Sequence, residues 1–196
     1  MKARPISQEK VYLYHISLDS QRGQEIAQAL KEISVPVEEL KEDMLGETLG
    51  CCLGLPGFAR SGVPAPKGGF DQEVLVMKGF TRQGMDRLLK QFHRKKIPPV
   101  ALKAVLTEHN SKWKCIDLFQ ELEREHAFMN AYQSLRRRVL TAEQTPNPSG
   151  FLRQEIQRAK ELLTKGDQIA YEDLTRELEH LNAVLEQRCR GEKESS

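Results

Sequence analysis

Two short apolar runs, Val11-Tyr-Leu-Tyr-His-Ile16 and Val74-Leu-Val-Met77, carry the strand-forming residues of this chain. Each leads to a hydroxyl residue, Ser20 or Thr81, placed to accept a backbone N–H and start a helix. Apolar stripes at helical spacing follow: Ile26, Ala27, Leu30 and Ile33 in one segment, Met85, Leu88, Leu89 and Phe92 in the other. Both segments then reach a proline and a second strand-like run, Val35-Pro-Val37 and Pro98-Pro-Val-Ala-Leu102. Val11 and Val74, Pro36 and Pro99, Val37 and Val100, and Cys52 and Cys115 all lie 63 positions apart, and Ser20 and Thr81 lie 61 apart. The pattern predicts two β-α-β-α copies, about residues 10–55 and 73–126. Right-handed crossovers would join them into a small, mostly parallel sheet with packed helices, an α/β fold. The proline- and glycine-rich stretch from Pro56 to Gly69 reads as the loop between them.

Beyond the second copy the period becomes purely helical. Cys115, Phe119, Leu122, His126 and Met129, extended by Tyr132 and Leu135, predict one long helix over 113–140. Thr145-Pro-Asn-Pro-Ser-Gly150 breaks it, so the α/β domain is expected over 10–142 and a linker over 143–150. Leu152, Ile156, Ala159 and Leu163, then Leu174, Leu178, Leu181 and Leu185, predict a C-terminal helical hairpin over 151–190. Gly166-Asp167 is expected to stop one helix and cap the next. Two helices bury little, so the hairpin needs a third surface: the end of the long helix, the sheet domain or another chain. Residues 191–196 are expected to be a disordered tail.

Charge and cysteine content narrow the picture. The net charge of +2 is unevenly spread: −2 over residues 1–72, +6 over 73–150 and −2 over 151–196. No apolar run approaches the roughly 20 residues that span a bilayer, and the N-terminus has no secretory h-region. A cytoplasmic protein is therefore expected, with Cys51, Cys52, Cys115 and Cys189 reduced and Cys51-Cys52 acting as small buried hydrophobes.

Candidate chemistry gathers where the run Val100–Leu106 ends in Thr107-Glu108-His109-Asn110, with Trp113 close behind. The C-terminal edge of a strand is where open α/β sheets bind ligands. Thr107, Glu108, His109, Asn110 and Trp113 are therefore candidate ligand-binding residues. The alternative is that Asn110 or Ser111 caps the long helix while its neighbours bond locally. Arg82, Arg87, Lys90 and Arg94, with Lys95 and Lys96, form a candidate nucleic-acid-binding face. No phosphate-binding glycine motif, nucleophile elbow or paired C-x-x-C ligand set occurs, so no cofactor, metal or catalytic residue is predicted. The expected function is that of a non-enzymatic binding or regulatory scaffold, meeting a protein partner or a second copy through the hairpin. The alternatives are a small enzyme or metabolite-binding protein using the Thr107–Asn110 corner, and nucleic-acid binding through the helix over 81–96.

Residues from about Glu73 to His126 also resemble a small bacterial domain of unknown function, family 3783. The resemblance rests on Val74-Leu-Val-Met-Lys-Gly-Phe80, Pro99, the run from Leu102 to Asn110, and Trp113. It covers little more than a quarter of the chain, and it implies a prokaryotic origin without implying an activity.

Overall fold

A computed structural model describes residues 8–194. Four strands, β1 (Lys10–Tyr14), β2 (Val37–Leu40), β3 (Val74–Lys78) and β4 (Leu102–Val105), form one sheet in the order β2-β1-β3-β4. The helices are α1 (Gln21–Glu32), α2 (Leu49–Cys52), α3 (Arg82–Arg94), α4 (Cys115–Glu143), α5 (Gly150–Thr164) and α6 (Tyr171–Glu194). They fall into two compact units that divide between Glu123 and Arg124, inside α4.

In the first unit β1 runs parallel to β2, β3 runs parallel to β4, and the central pair β1–β3 is antiparallel. The sheet is thus mostly parallel, as expected, with two parallel pairings of three, and it is mixed because the central pairing is antiparallel. The reason is geometric. Helices α1 and α3 lie on the same face, and the two strand–helix–strand segments grow outward in opposite directions. Right-handed crossovers on one face satisfy that order only if β3 runs against β1.

Alternation along the strands sorts side chains to two apolar layers. Val11, Leu13, Leu75 and Met77 face Ile26 and Leu30 of α1 and Leu88 and Phe92 of α3. Tyr12, Tyr14, Val74, Val76, Leu102 and Ala104 face Leu45, Leu49, Phe70, Ile116 and Phe119. Buried on both sides, β3 reads as an unbroken apolar run, whereas edge strand β2 carries exposed Glu38 and Glu39. This sorting corrects the spacing of 63. Val11 and Val74 point to opposite faces, Val100 precedes the strand that begins at Leu102, and Cys52 ends α2 while Cys115 begins α4. The capping pair holds: Ser20 Oγ accepts from Gly23 N–H at 3.0 Å, and Thr81 Oγ1 from Gly84 N–H at 3.1 Å.

Helix α4 starts at Cys115, two residues later than expected, and its first N–H groups are satisfied from the other half of the unit. Cys115 N–H donates to Glu47 O at 2.8 Å and Ile116 N–H to Leu45 O at 3.0 Å, while Leu49 N–H donates to Trp113 O at 2.8 Å. Backbone carbonyls thus stand in for a side-chain cap.

Glu47 works at both ends. Its carboxylate, 1% exposed, accepts from Ser61 N–H at 2.8 Å, Ser61 Oγ at 2.7 Å and Gly62 N–H at 2.7 Å. Those donors favour the charged form and hold its carboxyl below the usual carboxylate range. A folded pKa below the unfolded one contributes stability above the unfolded value and loses it as pH falls through the folded value. Glu47→Gln should therefore melt earlier than the parent near neutral pH and lose less stability on acidification. Thermal melts across the acid limb check this; parallel curves for the two proteins would rule it out.

The second unit comprises the rest of α4 with α5 and α6. Ser149 Oγ caps α5 through Leu152 N–H at 3.1 Å. Gly166, at φ +59°, follows the end of α5 and opens a 3₁₀ turn over Gly166–Gln168, and α6 begins at Tyr171, later than a cap at Asp167 would place it. The helix continues through Glu194, into the segment expected to be disordered, and Ser195-Ser196 lie outside the described residues. Leu152, Ile156, Ala159, Leu174 and Leu181 of the hairpin pack with Ala131, Leu135, Val139 and Ala142 of α4. The third surface that the hairpin requires is supplied by this chain.

Candidate interaction surface

The polar corner after β4 spends its hydrogen bonds on itself. Thr107 N–H donates to Asn110 Oδ1 at 2.7 Å, Asn110 N–H to Thr107 Oγ1 at 3.1 Å, and Asn110 Nδ2 to Val105 O at 2.9 Å. Ser111 Oγ donates to Glu108 O at 2.8 Å. These bonds close a turn leading into a short 3₁₀ segment, Asn110–Lys112, so neither Asn110 nor Ser111 caps α4. Glu108 is 92% exposed and pairs only loosely with Lys112, at 3.4 Å. His109 lies edge-on to Trp113 with ring centroids 5.4 Å apart. The corner brings Thr107 and Asn110 together but leaves the Glu108 carboxylate in solvent.

On α3 the basic residues meet acids of neighbouring elements. Arg87 pairs with Glu9, while Arg94 and Lys95 converge on Glu32, the former at 3.0 Å. Gln91 joins them, donating to Glu32 at 2.9 Å and to Ala29 O at 3.1 Å. Arg82 and Lys90 stay exposed. A shallow groove of 530 Å³ runs along this face, lined by Arg87, Lys90, Arg94 and Asp86 among others. Arg87, Arg94 and Lys95, three of the six basic residues from Arg82 to Lys96, are thus tied to carboxylates, which weakens a phosphate-binding face.

A crevice that sequence reasoning did not identify opens at the C-terminal ends of β1 and β2. It encloses 690 Å³ between Tyr14 and Phe70, with His15, Glu39, Glu42 and Asp71 at its rim. Glu39 accepts from Leu18 N–H and, at 3.4 Å, from Ser17 Oγ, which fixes the turn into α1. Burial pushes the Tyr14 phenol above its ordinary value. The only advance signal was positional, since crevices form beyond the carboxyl ends of parallel strands.

Two of the exposed large apolar side chains lie on α4. Met129 and Leu140 are 52% and 51% exposed. Being eleven residues apart, they sit within about 20° of one another around the axis and about 16 Å apart along it. Gln133 and Arg136 lie between them on the same exposed stripe. The buried stripe of this unit, Ala131, Leu135, Val139 and Ala142, occupies the opposite side of the helix. Met129 therefore faces away from the core, where the spacing from Cys115 had aligned it with buried positions.

The fold defines a small mixed α/β unit followed by a three-helix unit. The family model described as a domain of unknown function (DUF3783) matches residues 73–129, from the start of β3 into α4. No curated protein and no solved structure matches the chain significantly. Among the described residues, no helix is long and apolar enough to cross a membrane, and no cluster of three or more His, Cys, Asp or Glu side chains could hold a metal ion.

Proposed function

We propose that this chain is a non-enzymatic binding scaffold that associates with a second copy of itself through the exposed stripe of α4. The carrying observation is the pair Met129 and Leu140, presented together on the side of the helix that the three-helix core leaves uncovered. The leucines of the hairpin do not supply this contact, because α4 covers them. In a two-fold, antiparallel meeting of two such stripes, Met129 faces Leu140 of the second copy and Gln133 faces Arg136, so the surface complements itself. Residues 124–196 carry 12 basic and 12 acidic side chains, and a neutral unit does not repel its own copy. The two strand–helix–strand segments, read as diverged copies of one unit, form the body that the helical unit joins.

Light scattering over a dilution series tests the reading. The full chain should show twice the single-chain mass, and Met129→Ser with Leu140→Ser should return it to one chain with an unchanged far-UV circular dichroism spectrum. Removing two interfacial apolar side chains should weaken the dimer at least tenfold, about 1.4 kcal/mol or more. A single-chain mass for the parent at every concentration, or an unchanged mass for the double variant, rejects the proposal.

A further inference from the structure

A second cavity, of 700 Å³, opens beside α2 and is lined by Cys51, Cys52, Tyr12, Lys10 and Lys78. Lys10 and Lys78 face each other across the antiparallel β1–β3 pair, which sets two ammonium groups at this opening. Lys10 is paired with Glu38, and Lys78 Nζ donates to Leu53 O at 3.4 Å. Behind the opening, Cys115, 1% exposed, sits in the apolar layer against which Cys52 packs. Cys52 Sγ donates to Met44 O at 3.2 Å. The backbones that carry the two thiols are tied together by the Thr48–Lys114 bridge and its flanking hydrogen bonds.

We infer that Cys52 and Cys115 form a redox couple that a hydroperoxide entering this cavity closes into a disulfide. The three thiols of the unit are not equivalent. The hydrogen bond from Cys115 holds the Cys52 thiol below its ordinary value, whereas burial pushes the Cys51 thiol up. The bond to Cys52 and burial together drive the Cys115 thiol upward. The thiolate is the reactive form, and Cys52 lines the cavity while buried Cys115 does not, so Cys52 is the attacking group. Its sulfur attacks a peroxide oxygen, an S–O bond forms, the O–O bond breaks, and with hydrogen peroxide the departing hydroxide leaves as water after taking a proton. Cys115 sulfur then attacks the sulfenic sulfur, an S–S bond forms, and a second water departs with the Cys115 proton. Two thiols are oxidised and one peroxide is reduced to two waters. The new bond would fasten α2 to the first residue of α4.

Treatment of the folded full chain with one equivalent of hydrogen peroxide tests this. Two of the four thiols should be lost, and non-reducing peptide mapping should yield a single crosslinked pair, Cys52 with Cys115, lighter by two hydrogens and restored by dithiothreitol. In Cys115→Ala, Cys52 should stop as a sulfenic acid that dimedone labels once per chain. Mapping of the parent needs no variant to fold. Crosslinks through Cys51 or Cys189, oxidation confined to Cys51, or retention of all four thiols would overturn the inference.

Discussion

Phe119→Ala should cost the α/β unit about 3–5 kcal/mol, the range for removing a fully buried aromatic side chain whose site cannot collapse. Phe119 is 0% exposed, and its ring lies 5.0 Å from that of Tyr14 and 5.5 Å from that of Phe70, centroid to centroid. It packs under both halves of the sheet, with Val74 and Leu102 from the second half and Leu45 and Leu49 from the first in the same apolar layer. The loss has a convenient reporter. The chain has one tryptophan, Trp113, which packs partly buried against this layer. Its fluorescence in a urea titration follows the α/β unit, and the midpoint should fall sharply. A midpoint within error of the parent would mean that Phe119 does not hold this layer together.

Gly23→Ala should be the second costly change, about 1–3 kcal/mol, because the added methyl has nowhere to go. A Cβ at Gly23 would overlap the Ser17 carbonyl and sit 2.8 Å from Leu18 Cα, all backbone atoms of the turn entering α1. That turn is held on its other side by the Ser20 cap and by Glu39, so it has little room to retreat. Gly84, the counterpart at the start of α3, provides the control. A Cβ there meets chiefly the carboxylate of Glu9, the far end of a flexible side chain. Gly84→Ala should be mild, since alanine also recovers about 0.5–1 kcal/mol of helix propensity over glycine. Chemical denaturation of both variants decides the matter; an equal or larger loss for Gly84→Ala would contradict the steric account.

These two sites mark what the amino-acid order reveals and what it conceals. Strands β1 and β3 and the caps Ser20 and Thr81 are legible because their signals are local: an apolar run, then a hydroxyl three residues before a glycine. The direction of β3 against β1 is not local. It depends on which face both crossover helices take, and no periodicity records that choice. The regular helical spacing from Cys115 aligns Met129 with buried positions, yet the surface being covered changes along α4. Toward the start the helix covers the sheet with Phe119, and further on it covers α5 and α6 with Leu135 and Ala142. The Thr107–Asn110 corner is legible as polar and strand-terminal, but residue types alone do not show that Thr107 and Asn110 satisfy each other. Glu47 left no signal, because a buried carboxylate is identified only by its donors, and these lie fourteen residues away in a loop.

The donation of α4's leading amides to Leu45 and Glu47 bears on what the recognised segment can do when cut out. Residues 73–129, taken alone, would expose the flank of β3 that β1 occupies and leave two helix-starting amides without acceptors. In this chain the stretch that sequence comparison detects is half of a closed body, and its missing half is encoded upstream, in residues that the family model does not reach.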